Sequence, residues 1–582
     1  MNSVYVAIQK NNGRQYVSIR QSFWDSDRKK SSTRTIKNYG RLDLLEQKDP
    51  DFLKKANAEA EALRKAASEK KWSDFYGRMD GMFDGTDPGL NSDGYAREVM
   101  LGSCVYRQVW NKLDLSRKLR NIQRDGSTRF DFPDAAFYMT AARAIMPGSK
   151  LYQWMSRNQY LYNAEKLKLI HLYRSVDLLC ENKESIIRYI NRQIAKVYNR
   201  VVSIALYDVT TFYFESQEDD DLRKFGFSKD NKVNQVQVVM GLLIDDRGIP
   251  VDYELFPGNT NEFGTMIPIL SRLRSQYGIG KVIVVADRGL NSGSNLLAIK
   301  KLGMEYVIAY RLKGAGKAIR NLISESGWQH FMFGTGTDAT RYKITEETRV
   351  VYLEDSKVPL TSRLLINYSA RRAAKDAHDR DRLVRKAERY ANNPSLLQTD
   401  MHRGGKSYLK IVSGKIEGAV DEDRIERAKF FDGYYGIVYS DPSMSPEQVL
   451  AVHHSLWRIE QSFRIQKSLF KARPCFHWKP RRVRGHFMIC YLALVMHRLL
   501  ELELESKGLH LSSERIVAAL SKAHLVELSH PEKEAVYVKG GLKEGEEDDS
   551  DFRAISSAVG LGKLYKYTPA KGLKQALHLK YL

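Results

Sequence analysis

Near the start of the chain apolar and polar side chains alternate: Val4, Val6 and Ile8, then Tyr16, Val17 and Ile19, then Thr33, Thr35 and Ile36. A period of two predicts a small sheet of two or three strands, here carrying many Arg and Lys side chains. Residues 51–71 are rich in Ala, Glu and Lys and predict an exposed helix. Helical spacing then runs from about residue 97 to residue 200, punctuated by Pro133 and Pro147. At Val201 the pattern changes. VVSIALYDVTTFYFES begins as a buried strand, followed by VNQVQVVMGLLIDD and IPVDYELFPGN, with a hairpin turn signal at Asp245-Asp246-Arg247-Gly248 between the last two. A helix over 263–277, the apolar strand KVIVVAD, a helix over 295–302 and the strand MEYVIAYR complete the series.

Three strands in succession, then helix, strand, helix and strand, is the order of an α/β ribonuclease H-like core. From about Leu312 to Ser440 the chain turns strand-rich (RYKITEET, RVVYLED, YLKIVS, YYGIVYS), with one very charged helix over 371–390. That helix reads as a solvated element whose cations are balanced by Asp376, Asp379, Asp381 and Glu388. The expected fold class is therefore α/β: a ribonuclease H-like catalytic core interrupted by a β-strand-rich insertion domain, preceded by a small β N-terminal region and an α-helical domain. The expected boundaries are 1–45 for the β-rich region, 46–96 for a helical linker and 97–198 for the α-helical domain. The core occupies 199–312 and 441–505, the insertion 313–440, and a C-terminal helical region 506–582, which includes the acidic run 546–551.

Composition narrows the function. Of 582 residues, 93 are Lys or Arg and 70 are Asp or Glu, a formal charge of +23 that favours a polyanionic partner. A membrane surface is set aside, because the N-terminus lacks a signal-peptide core. The most apolar helical stretch, Phe487 to Leu500, is also shorter than the about 20 residues a span requires and carries His497 and Arg498. Cys104, Cys180, Cys475 and Cys490 form no CxxC pair, so neither a disulfide framework nor a zinc knuckle is expected. The expectation is a reduced, cytosolic, nucleic-acid-facing protein.

Candidate chemistry is selected by position. Asp208 closes an apolar strand beside Thr210 and Thr211, and Asp287 closes another before Arg288-Gly289. Either acid alone is more often a helix cap or turn residue than a metal ligand. The best-marked helix is predicted from Pro446 to about Ala472, with Ser445 as N-cap, Gln448 completing a capping box and Pro474 beyond its end. At about 100° per residue, Leu456, Ile459, Phe463 and Phe470 share an apolar stripe. Glu460, Arg464, Lys467 and Lys471 share the adjoining face, with Trp457 nearby. Glu460 is then either an ion-pair partner of Arg464 or a metal ligand beside a phosphate track that continues to Arg473, Lys479, Arg481, Arg482 and Arg484. Three such carboxylates could hold a pair of Mg²⁺ ions for in-line phosphodiester displacement with no side-chain nucleophile. His453-His454 reads as packing or phosphate contact, and no P-loop or GxGxxG lies between a strand and a helix.

The ordered stretches YDVTTFYFES, FPGNTNE, VVADRGLNS, FFDGYYGIVYSD and WRIEQSFRIQKSLFKARPCFHW, followed by RRVRGHFMICYLAL, resemble DDE transposases of the IS4 superfamily, most of all its IS1634 branch. The resemblance implies Asp208, Asp287 and Glu460 as the catalytic, metal-binding triad, holding two Mg²⁺ ions for which Mn²⁺ can substitute. It implies end-DNA contacts from Trp457, Arg458, Arg464, Lys467, Lys471, Arg473 and Arg288. Around the glutamate the family often carries Tyr, Arg, Glu and Lys at set spacing. Here Glu460 and Lys467 fit, His453 and Leu456 stand in the Tyr and Arg places, and Arg458 and Arg464 are the candidates for the missing phosphate contacts. The implied partners are double-stranded DNA, as inverted-repeat ends and target, and a second copy of the chain on DNA. The implied location is the nucleoid of a prokaryotic cytoplasm. A metal-dependent nuclease or resolvase on the same core, and a non-catalytic DNA-binding protein, are the alternatives.

Overall fold

A computed structural model describes residues 4–579 apart from 26–29, 84–94, 127, 161–162, 216–217, 227–234, 278–281, 314–315, 333–338, 354–355, 394–404, 413–414, 531–532, 540–549 and 566. Most of the acidic run and part of the 46–96 linker thus lie outside the described residues. The chain divides into two compact units, the first comprising Met1–Arg97, Val526–Gly541 and Leu564–Gly572, the second the remainder.

In the first unit, β1 (Val4–Asn11), β2 (Arg14–Asp25) and β3 (Lys30–Arg41) form an antiparallel meander. Asn12 and Gly13 both have positive φ, as a two-residue hairpin of this twist requires. The period-two pattern buries Val4 and Ile19 against Ala60 of the helix Phe52–Phe83. Glu59 of that helix takes hydrogen bonds from Tyr39 and, at 2.5 Å, from Lys37. A second sheet pairs β4 (Tyr95–Met100) with later strands in the order Tyr567–Pro569, Lys533–Lys539, His524–His530, β4.

The second unit is built on one large mixed sheet. Its strands are β5 (Ile204–Tyr213), β6 (Gln237–Asp245), β7 (Pro250–Pro257), β8 (Ile283–Ala286), β9 (Glu305–Tyr310), β10 (Gln329–Met332), β11 (Ala339–Leu353), β12 (Ser356–Tyr368) and β15 (Tyr434–Tyr439). A separate hairpin joins β13 (Leu409–Val412) and β14 (Lys415–Val420). The sheet order is β10-β11-β12-β15-β9-β8-β5-β6-β7. β5, β6 and β7 are antiparallel neighbours, whereas β8 runs parallel to both β5 and β9. The turn at Asp245 forms as read: Asp245 Oδ1 accepts the Arg247 and Ile249 amides, and Gly248 supplies a φ of 85°.

The central strands are apolar almost throughout because both faces are covered. On one face Tyr207, Leu243 and Val284 pack with Leu270, Leu273 and Leu296 of the flanking helices. On the other, Phe212 meets Phe487 edge-on at 4.9 Å. Phe487 belongs to the helix Pro480–Ser506, whose stretch from Phe487 to Leu500 is buried throughout. Among the described residues, no helix is long and apolar enough to cross a membrane.

Several features differ from expectation. The region 506–582, expected to be helical, also contributes the strands His524–His530, Lys533–Lys539 and Tyr567–Pro569. RYKITEET and RVVYL belong to one long strand, β11, and with β10, β12 and β15 it continues the core sheet; these strands of 313–440 form no sheet of their own. The helix Ala370–Asn392, the turn Gly405–Tyr408, β13 and the helix Glu422–Lys429 build a small core apart, around Ala387, Tyr390, Tyr408, Leu409 and Ile425. The helix expected from Pro446 to Ala472 is broken: Pro446–His454, then Trp457–Arg464, then a π-helical turn over Ile465–Leu469.

Candidate active site

The parallel register of β5 on β8 runs from Ile204↔Ile283 to Tyr207↔Ala286. Asp208 is the next residue of β5, in mid-strand and not closing it as the sequence suggested, because the strand runs on to Tyr213; Asp287 follows the last residue of β8. Neighbouring strands lie about 4.8 Å apart, so the two carboxylates emerge from adjacent positions of one sheet. Asp208 is half-buried on β5, and its Oδ1 accepts the Val209 amide at 2.7 Å. Asp287 is exposed and extended (φ −76°, ψ 168°) at the mouth of the short turn Arg288–Leu290.

The turn after Asp287 is held from two sides. Asn291 donates to the Ala309 carbonyl at 2.7 Å, and its own side-chain oxygen accepts Arg349 of β11 at 2.7 Å. A third carboxylate stands against it: a Cβ placed on Gly289 would lie 2.6 Å from Glu262 Oε2. Glu262 and Asp208 both act on the buried Tyr207 hydroxyl, which burial first, and then these charges, raise far above the usual phenol range. Glu262 was visible in the sequence only as part of FPGNTNE, with no reason attached. The motif's glycine has one now, because a Cβ on Gly258 would meet the main-chain oxygens of Gln237 at 2.1 Å and Lys224 at 2.3 Å.

Glu460 is exposed on the helix Trp457–Arg464, which packs on β5 and β6. The predicted apolar stripe is buried at Ile459, Phe463 and Phe470. Past Glu460 the chain follows the half of β5 beyond Asp208, with the Lys467 ammonium 5.5 Å from the Phe212 ring centre and the Arg473 guanidinium 4.5 Å from that of Tyr213. Trp457 is 47% exposed, with Arg458 4.9 Å over its ring. Arg464, Lys471 and Arg288 are exposed. The helix gives way to a π-turn closed by the Phe470 amide on the Ile465 carbonyl, and Lys471 lies past it at a φ of 44°. Among the described residues, no three His, Cys, Asp or Glu side chains gather into a group able to hold a metal ion. The fold therefore sets the two aspartates side by side and lays Glu460 on a helix over the same strand, without drawing the three together.

His453, at the end of the helix Pro446–His454, meets Tyr435 of β15: Nε2 and the hydroxyl are 3.2 Å apart. Burial pulls His453 down to about 4, with Asp287 pulling the other way and His454 and Arg372 adding to the fall. Burial pushes Tyr435 up to about 12, assisted by Asp287 and opposed by Arg372 and Arg288. Both side chains are thus neutral near pH 7 and within electrostatic reach of the second acid.

An acid in the middle of one central strand and another just past the end of its parallel neighbour, a cation-rich helix over them and a positive chain describe a nucleic-acid-processing enzyme. A family model for the transposase DDE domain matches residues 202–496, and the chain belongs to the DDE transposase family. Within it the chain is most like the IS1634 branch, whose N-terminal domain matches residues 6–74. No curated protein matches the sequence. Among solved structures, a piggyBac transposase synaptic complex with hairpin DNA aligns over 74% of this chain and 82% of that one, at 8% identity and a TM-score of 0.35.

Proposed function

We propose that the protein is the transposase of an insertion sequence, which binds the inverted-repeat ends of its element, cuts a phosphodiester there and joins the freed 3′-hydroxyl to target DNA. The observation that carries this reading is the register that sets Asp208 beside Asp287. The β7-β6-β5-β8-β9 order, with its antiparallel then parallel pairings, supports a ribonuclease H-like core around that pair. Two hard carboxylates on adjacent strands fit a divalent cation such as Mg²⁺, which accepts few protein ligands and keeps positions for water and substrate phosphate. Two such ions, when bound, would activate the attacking water or 3′-hydroxyl and stabilise the departing oxygen.

The chain's own part is to hold and orient. Asp208 and Asp287 supply oxygens from a rigid sheet, and Glu460 supplies the third from the helix across β5. Trp457, Arg458, Arg464, Lys467, Lys471, Arg473 and Arg288 hold the DNA backbone on either side. The helical region 97–198 and the N-terminal sheet carry end recognition and contacts within a dimer assembled on DNA at the nucleoid.

The test uses a DNA fragment with the native flanks of the gene, incubated with and without Mg²⁺ beside Asp208→Asn and Glu460→Gln. The expected result is metal-dependent 3′-hydroxyl ends at defined positions and joined products with target DNA. Both variants should lose cleavage while keeping end binding. Cutting without joining would convert the reading to a nuclease; binding without cutting in any divalent metal would reject it.

A further inference from the structure

The insertion helix read from the sequence as a solvated element lays its first turn on β15. Ser369 caps the helix Ala370–Asn392 by accepting the Arg372 amide, so Arg372 lies in its first turn, at the positive end of the helix. The Arg372 guanidinium sits 4.4 Å over the ring of Tyr435, the residue paired with His453. Its carboxylate neighbour, Asp376, is 3.6 Å away, longer than a charge-assisted hydrogen bond, and that same Asp376 oxygen accepts the Gly433 amide at 3.1 Å. The Arg372 side chain remains 46% exposed. Asp287, one residue past the Ala286–Ile308 pair, falls level with Ala309, which pairs with Ile437 of β15, two residues from Tyr435, so Arg372 stands two strands away from the acid on the same sheet.

We propose that Arg372 binds a phosphate of the DNA strand next to the phosphodiester held at Asp208 and Asp287, with Tyr435 and His453 as its positioning residues. This rests on the reading of the site as one that cuts DNA. A guanidinium stacked on an aromatic face keeps its plane fixed, and its fork matches two phosphate oxygens. The His453–Tyr435 pair fixes that face while adding no charge that would compete with the phosphate. The arrangement supplies, from two distant parts of the chain, an aromatic hydroxyl and an arginine where the helix itself has His453 and Leu456.

The experiment combines binding and cleavage on the flank fragment. Arg372→Ala and Arg372→Lys are compared with the unsubstituted protein after thermal unfolding has verified that each is folded. Binding is followed across salt concentrations, and cleavage is followed on fragments with single methylphosphonates near the cut. Arg372→Ala should lower the slope of log affinity against log salt by about one phosphate contact and slow cleavage by about tenfold. At one phosphate, neutralisation should slow the unsubstituted protein but have no further effect on Arg372→Ala. Arg372→Lys should recover the salt slope but only part of the rate. A salt slope equal to that of the unsubstituted protein, with the same methylphosphonate profile, would overturn the proposal and leave Arg372 as a strut between helix and sheet. If the unsubstituted protein binds but never cuts, the transposase reading fails, and the salt slope alone still decides whether Arg372 holds a phosphate. Failure to bind DNA at all rejects both.

Discussion

At the residue scale, the candidate site depends on close approaches of main chain that only glycine allows. Gly258 shows it best: its missing Cβ would lie 2.1 Å and 2.3 Å from two backbone oxygens, neither of which can swing aside. Gly258→Ala should therefore cost about 1–3 kcal/mol or more and displace the turn that carries Glu262. Gly264, in the same loop, has nothing within 4 Å of an added Cβ, so Gly264→Ala should be near neutral. Urea midpoints of the two variants test this, and equal midpoints would sink it. Asp208, Asp287 and Glu460 were legible because local patterns mark them: an acid within an apolar strand, an apolar run that ends in an acid, and an amphipathic row. Glu262, Tyr435 and Arg372 were not, because the contacts of Glu262 with the Gly289 turn and of Arg372 with Tyr435 come from tertiary packing that no local period encodes. The sequence offered His453 as packing or phosphate contact; the structure gives it a partner, Tyr435.

At the element scale, apolar runs located the core strands and their order along the chain, since buried strands of a two-sided sheet are nearly continuous apolar runs. It did not foresee that β11 and β12 extend that sheet, because pairing partners far apart in sequence leave no periodic trace. The break at Ser455 also escaped: capping signals at Ser445 predicted a start correctly, but the chain restarts at Trp457 without a side-chain cap. The helix Met266–Tyr277 is fastened to β7 by ions. Arg272 Nε lies 2.8 Å from Asp252 Oδ2, Arg272 also lies 3.0 Å from Glu254, and Lys183 lies 2.9 Å from Glu254. Asp252 is 1% exposed. Arg272→Met should cost about 3–5 kcal/mol, because it strands a buried carboxylate. Adding Asp252→Asn should return part of the loss, and a double-mutant cycle in denaturant reads the coupling. Strict additivity would mean that the pair does not hold the helix.

At the scale of the whole molecule, the charge of +23 predicts steep salt dependence for any DNA complex, but stability answers to a few buried bases instead. His477 and His486 are 7% and 2% exposed, their rings 5.8 Å apart, with Arg143 and Lys150 adding positive charge. Burial pulls His477 down to about 3 and His486 well below the ordinary value of 6.5. Above 6.5 both folded and unfolded chains hold them neutral, and no stability is lost. Below it the unfolded chain takes up protons that the folded chain refuses, so stability falls as pH falls, by about 2 kcal/mol per histidine at pH 5. Lys150 works in a higher window. Burial lowers it from 10.5 to about 7, so the unfolded chain binds the extra proton between these values, and stability rises with pH across them. Guanidinium unfolding at pH 5, 7 and 9 in constant salt should give a rising series. His477→Asn should flatten the step from 5 to 7, and Lys150→Met the step from 7 to 9. A native chain equally stable at pH 5 and pH 7 would mean that these histidines take up protons in place, and that the packing around the helix Pro480–Ser506 opens to water more readily than their burial allows.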